Sequence, residues 1–369
     1  MKISELIRSL VPYEPGKPIE ETKREYGLDK IVKLASNENP LGVSPKVEAA
    51  ILGSINNLHR YPDPSSYELA KVIASKHTDL NIEAGNLLFA NGSNEAIDLL
   101  VRVYCEPGDK ILTSEKAFIA YKICAQAARA LTTEVKMAEG FRIDLKKIQE
   151  AWTPEHKIIF LPNPNNPTGT YFPRQEWEDF LAHFGNRDDV LIVLDEAYTE
   201  FVRAKDYPNG MEYITQTSNL MLSRTLSKVY GLAGLRLGYL VGNKEYISYL
   251  QRIRNPFNVN ALAQAGAKAA FLDDEYIQKS QKIVWEGLDY FYKELSKMGI
   301  RYFESQANFV MFEVPGGRAQ ELNTYLLTKG IILRPLAGYG MSEYLRMSVG
   351  LEEENQMAIH FINEWLKSR

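Results

Sequence analysis

Val190-Leu-Ile-Val-Leu-Asp195-Glu-Ala-Tyr198 opens with an unbroken apolar run that stops at a carboxylate. A short apolar run with no polar alternation reads as a strand buried on both faces, the situation of a parallel sheet covered by helices. Runs of the same kind lie at 87–90, 110–113, 134–137, 158–161, 220–223 and 238–241, with helical periodicity between them. This alternation predicts an α/β fold with a mostly parallel central sheet flanked by helices. In such sheets ligands sit beyond the C-terminal ends of the strands, which is where Asp195 stands.

Working outward, a long helical stretch begins near 261, and two more strand-like runs follow at 308–313 and 331–334. They predict a second, smaller α/β unit. The beginning of the chain reads as a helix followed by an extended arm, because Val11-Pro-Tyr-Glu-Pro-Gly-Lys-Pro18 holds three prolines in eight residues. The expected organisation is an N-terminal arm over 1–44 belonging to the small domain, a large domain over 45–260 and a small C-terminal domain over 261–369.

Bulk properties agree with a globular protein. The chain has 369 residues, 45% hydrophobic and 24% charged, and a net charge of −4. That charge is too mild to point to nucleic acid or an anionic membrane. No uncharged apolar run approaches the ~20 residues of a membrane span, and Glu5 and Arg8 interrupt the first apolar stretch, unlike a signal peptide. Two cysteines, Cys105 and Cys124, form no disulfide framework. A cytoplasmic location is expected.

The chemistry gathers around Ser223-Arg-Thr-Leu-Ser-Lys228-Val-Tyr-Gly-Leu-Ala-Gly-Leu-Arg236-Leu-Gly238. Its charges sit among Val229, Leu232, Ala233 and Leu235, so the loop buries, and a buried cation needs an anion. A phosphate held by Arg236, Ser227 and Thr225 would supply one. Asp195 alone is more often a helix cap. With Tyr198 three residues on and Lys228 further along, it reads instead as a partner for a protonated ring nitrogen, with Tyr198 on the ring's oxygen. A lysine able to condense with an aldehyde, groups for a phosphate and a carboxylate for a ring nitrogen are what pyridoxal 5'-phosphate needs from a protein. Asn91-Gly92-Ser93-Asn94-Glu95 opens a helix whose free N–H groups suit the phosphate. Pro162-Asn-Pro-Asn-Asn166-Pro167-Thr-Gly169 is nearly all turn formers. It places Asn166 for the same ring oxygen, with a cis Asn166–Pro167 bond as one option. Arg334 and Arg346 each read as surface charges alone; as a pair they could fork onto a carboxylate or phosphate.

In order and spacing these segments resemble the fold-type-I pyridoxal-phosphate aminotransferases, and within them the histidinol-phosphate aminotransferases. The likeness covers essentially the whole chain, including Val11-Pro-Tyr13, Lys33-Leu-Ala-Ser-Asn-Glu-Asn-Pro-Leu-Gly42, Arg60-Tyr61-Pro62-Asp63 and Leu333-Arg334-Pro335-Leu336. It implies that Lys228 bonds the cofactor and shuttles a proton, while Asp195 holds the ring nitrogen and Asn166 and Tyr198 the ring oxygen. Phe118 matches the aromatic that stacks on the ring; where many relatives have tyrosine, this chain lacks the hydroxyl. Gly92, Ser93, Asn94, Thr225, Ser227 and Arg236 match the phosphate positions. Tyr61 matches a residue arriving from the other subunit, which implies a homodimer with a composite site. Tyr13, Asn166, Arg334 and Arg346 match the substrate positions. The implied reaction is a two-half transamination between L-glutamate and imidazole-acetol phosphate, giving 2-oxoglutarate and L-histidinol phosphate in histidine biosynthesis. An aromatic amino acid aminotransferase would share the catalytic residues, and a threonine-phosphate decarboxylase would share the phosphate-reading arginines. A cofactor-binding transcription regulator on the same fold would need an added DNA-binding region, which this acidic chain does not show. The partners expected are small-molecule substrates and a second copy of the chain, with no nucleic acid and no membrane; no metal site is expected.

Overall fold

The computed structural model describes residues 3–12 and 16–368. Tyr13 lies outside the described residues. The strands in chain order are β1 (Val32–Lys33), β2 (Leu87–Ala90), β3 (Lys110–Ser114), β4 (Leu131–Val135), β5 (His156–Pro162), β6 (Leu191–Asp195), β7 (Leu220–Thr225), β8 (Gly238–Gly242), β9 (Tyr302–Phe303), β10 (Phe309–Glu313), β11 (Ile331–Ile332), β12 (Arg334–Pro335) and β13 (Tyr344–Ser348).

The central sheet has seven strands in the order β2-β8-β7-β6-β5-β3-β4. Only β8 runs against its neighbours. Every residue of β6 is buried. Its alternate side chains enter two different cores: Ile192 and Leu194 pack on one face of the sheet, Leu191 and Val193 on the other. The same split places Ile159 and Leu161 of β5 on one side and Ile158 and Phe160 on the other. Helices on both faces are what make an all-apolar strand favourable.

The register decides where the chemistry goes. Pro162, Asp195 and Ser223 pair across β5, β6 and β7 at the C-terminal edge. Because β8 is reversed, its first residue, Gly238, reaches that same edge. It pairs with Thr225 on one side and Ala90 on the other. Segments far apart in sequence therefore meet over one rim of the sheet: the helix start after Ala90, and the β7–β8 loop that carries the lysine after Thr225 and the arginine before Gly238.

A second sheet, β12-β13-β10-β9, is antiparallel throughout. β1 pairs in parallel with β11, so the arm is bound beside the strand that leads into Arg334. The Leu34 carbonyl accepts from Ser348 N–H at 2.9 Å and extends this attachment.

The sequence reading needs four corrections. The strand expected at 134–137 is Leu131–Val135: it is an edge strand with Leu131 exposed, where Thr132 and Thr133 suit a half-solvated face, and it stops where Glu115 N–H caps the Val135 carbonyl. The run at 331–334 is split at Leu333, with its two halves in different sheets. Tyr344–Ser348, which the sequence pattern does not mark as a strand, is an inner strand of the second sheet. The arm beyond Pro18 holds the helix Ile19–Tyr26, closed by Gly27 at φ +66°.

Candidate active site

A cavity of about 410 Å³ opens over the rim of the large sheet, and its far wall comes from the second sheet. Of the residues singled out from sequence, Lys228, Asp195, Tyr198, Phe118 and Asn166 line it, as do Ser93, Asn94, Thr225, Ser227 and Arg236 at one end and Arg334 and Arg346 at another. Tyr61 does not. It is 82% exposed and stacks on Phe257 with ring centroids 4.6 Å apart.

Asp195 forms the floor. It is 4% exposed. Tyr121 donates its hydroxyl to Oδ2 at 2.7 Å, and Ala197 N–H donates to Oδ1 at 3.2 Å. Burial pushes the carboxyl up to about 6, and these two donors hold it down. Tyr121 is itself fully buried, stacked on Phe160 at 4.6 Å and meeting Phe118 edge-on at 5.8 Å. The next residue, Glu196, points away from the cavity and takes Arg224 Nε and Nη2 at 3.0 and 2.7 Å. That buried pair ties the ends of β6 and β7 beneath the floor.

Lys228 Nζ donates to the Ser36 carbonyl at 3.3 Å and lies over the Tyr198 ring, 5.6 Å from its centroid. Burial lowers its pKa to about 8; Arg346 and Arg236 push the same way, while Glu38 and Asp195 oppose. An amine in this setting is a usable nucleophile and base near neutral pH. Tyr198 accepts at its hydroxyl from Asn37 Nδ2 at 2.9 Å, and burial raises its pKa to about 12, so it stays a donor.

At the helix end the helix Gly92–Tyr104 begins. Gly92 has φ +76°, and a Cβ there would collide with the Arg236 guanidinium. A glycine is required for the helix start and the arginine to come this close. Arg236 donates to Ser227 Oγ at 3.4 Å and to the Ala233 carbonyl at 3.1 Å, and among the described residues it has no carboxylate partner. Thr225 donates to Ser227 Oγ at 3.1 Å. A guanidinium, two hydroxyls and the N–H groups of a helix start converge here, and among the described residues no carboxylate pairs with the guanidinium. This donor set fits a phosphate.

Across the cavity Arg334 and Arg346 are Cα partners on neighbouring strands. Arg346 is 6% exposed; it donates to Asn166 Oδ1 and to the Ala35 carbonyl and lies over the Phe309 ring at 5.0 Å. The Oδ1 contact turns the Asn166 amide so that its Nδ2 is the group left to donate. Asn166–Pro167 is cis, and so is Asn163–Pro164.

Sequence reasoning missed Tyr121, Asn37, Glu38 and Tyr339, which all line the cavity. Asn37 sits at φ +56°. It is fixed by Ser348 Oγ, which accepts from its N–H at 2.9 Å, and by Asn308 Nδ2, which donates to its carbonyl at 3.0 Å. A signal was present: Ser36-Asn37-Glu38-Asn39 is a polar run that follows buried Leu34-Ala35, and Asn tolerates the left-handed region. Tyr121 lies three residues after Phe118, in the first turn of the helix Ala120–Ala127. Among the described residues no helix is long and apolar enough to cross a membrane, and no cluster of His, Cys, Asp or Glu could hold a metal ion.

The model of the family aminotransferase class I and II matches residues 29–362. A histidinol-phosphate aminotransferase of Bdellovibrio bacteriovorus is 52% identical, covering 100% of this chain and 99% of its own. Histidinol-phosphate aminotransferase 2 of Hydrogenovibrio crunogenus is 44% identical over 98% of this chain and 95% of its own. The crystal structure of histidinol-phosphate aminotransferase from Sinorhizobium meliloti in complex with pyridoxal-5'-phosphate aligns with a TM-score of 0.89 at 25% identity, over 100% of this chain and 98% of that one. With a floor that suits a pyridine ring, an end that suits a phosphate and a lysine between them, the chain belongs to the aminotransferase class I and II family.

Proposed function

We propose that this chain transfers the amino group of L-glutamate to imidazole-acetol phosphate, giving L-histidinol phosphate and 2-oxoglutarate. The observation that carries the proposal is the two-ended cavity: a phosphate cradle and Lys228 on one side, paired arginines on the other. The relatives named above extend over the whole chain and carry this activity in their names.

Pyridoxal phosphate, when bound, supplies the aldehyde that accepts the amino group and the ring that withdraws electrons. The residues around it have distinct work. Arg236, Ser227, Thr225 and the N–H groups of Gly92, Ser93 and Asn94 hold its phosphate. Asp195, ionised by its pairing, keeps a proton on the ring nitrogen, and Tyr121 orients that carboxylate. Tyr198 and Asn166 Nδ2 donate to the ring oxygen, and Phe118 packs on the ring. Lys228 Nζ, its pKa near 8, takes a proton from the substrate carbon and returns one. Arg334 and Arg346 face the substrate anion. Their planar donors match a carboxylate in one half-reaction and a phosphate in the other. Two copies of the chain form the working unit, with Tyr61 of the partner subunit completing the cradle and Tyr13 among the residues that bind substrate. The division at 45 and 261 follows: large domain for cofactor, small domain and arm for substrate.

The test loads the protein with pyridoxal phosphate, follows 2-oxoglutarate release from glutamate and then offers keto acceptors. The expected order of kcat/KM puts imidazole-acetol phosphate above phenylpyruvate and 4-hydroxyphenylpyruvate. A preference for the aromatic keto acids would overturn the proposal.

A further inference from the structure

The roles above leave one end of the acceptor unread. Its phosphate suits arginines, but its imidazole ring presents an N–H in either tautomer and, with an ordinary pKa near ~6.5, a partial positive charge at neutral pH. Such a ring wants an anionic acceptor.

The cavity is lined by two carboxylates among the described residues, Asp195 and Glu38. Asp195 is engaged in the floor by Tyr121 and Ala197. Glu38 stands on the open side. Its Oε1 accepts from Lys33 Nζ at 3.1 Å, and its side chain remains 49% exposed. A carboxylate offers about four lone-pair sites, so one lysine contact leaves acceptors to spare.

Its position is fixed from both sides. Asn37 before it is buried and bonded to Ser348, Tyr198 and Asn308. Asn39 after it donates through Nδ2 to the Val229 carbonyl at 2.8 Å and to Ser280 Oγ at 2.9 Å. Val229 adjoins Lys228, so this fastening also sets Glu38 relative to the reacting lysine. A side chain on a backbone held at both neighbours is pre-placed for recognition.

We propose that Glu38 is the specificity residue that reads the imidazole ring, accepting a hydrogen bond from a ring N–H. Lys33 offsets its charge, so the same cavity also admits the anionic side chain of glutamate. The inference rests on the function proposed above and names the residue that separates an imidazole substrate from a phenyl one. A phenyl ring in the same place would leave the Glu38 acceptor without a donor.

The test compares imidazole-acetol phosphate with its phenyl analogue, in which a benzene ring replaces the imidazole and the phosphate is kept. The readout is the ratio of the two kcat/KM values in the loaded wild type, Glu38→Ala and Glu38→Gln. The ratio should fall about 10- to 100-fold in Glu38→Ala, the range for a hydrogen bond to a charged group, and less in Glu38→Gln, which keeps one acceptor oxygen. If Glu38→Ala does not fold, a fall in Glu38→Gln alone carries the result. A ratio within about twofold of wild type in every folded variant overturns the assignment. A wild type that accepts glutamate but not imidazole-acetol phosphate removes the functional proposal first, and this inference with it.

Discussion

The two ends of the cavity are built differently. The cofactor end stands on one rigid sheet, where Asp195, Thr225 and the Gly92 turn follow directly from paired strand ends. The substrate end is assembled from the arm and the second sheet, where Arg334, Arg346 and Glu38 come from opposite extremes of the chain; Arg334 and Arg346 sit on paired strands, Arg346 bonds the Ala35 carbonyl of the arm, and Glu38 pairs with Lys33. A sheet edge gives precise placement to groups that every reaction of the family needs. A wall made of separate segments can change its polar groups without disturbing that edge.

The largest effect that could break this contrast is expected from Arg346→Ala. It should lower kcat/KM about 100- to 1000-fold for glutamate and for the phosphorylated acceptor alike, the range for removing a buried charged partner. If cofactor affinity collapses to the same extent as substrate turnover, the two ends are not separable. Tyr121→Phe probes the other end. Losing the donor to Asp195 Oδ2 should weaken pyridoxal phosphate binding about 10-fold, seen in an equilibrium titration; a change in substrate KM with intact cofactor affinity would place Tyr121 in the wrong role.

A smaller and graded effect should appear with pH. The Lys228 amine reacts when neutral, and its pKa in the cofactor-free protein is lowered to about 8. Below that value the neutral fraction, and with it the rate of cofactor loading, should rise about tenfold per pH unit and then level off above it. Arg346 helps to lower this pKa, so Arg346→Ala should move the midpoint upward. A profile that keeps climbing to pH 10 would show that the amine is not so enclosed.

The same division explains what could be read from the sequence. Asp195 and Lys228 were legible because each follows an apolar strand, and local pattern is enough to place a strand end. Arg346 was legible as a residue, but its strand was not. In Tyr344–Ser348 the arginine is buried between buried Leu345 and Met347, so no polar face marks the period of two. Tyr121 was hidden for another reason: its partner Asp195 lies 74 residues away, and only the side-by-side pairing of β3, β5 and β6 in one sheet brings them together. Glu38 was read as part of an arm motif, but its approach to the cavity depends on the pairing of β1 with β11, a contact across nearly the whole chain. The split at Leu333 is of the same kind, since one continuous apolar run gave no hint that it serves two sheets.

The account's central claim is that Lys228 is the amine that bonds the cofactor. Protein loaded with pyridoxal phosphate and reduced with borohydride, then digested and mapped by mass spectrometry, tests it directly. The phosphopyridoxyl mass should sit on the peptide containing Lys228 and be lost in Lys228→Ala. The modification on a different lysine, or its persistence in that variant, would contradict the account.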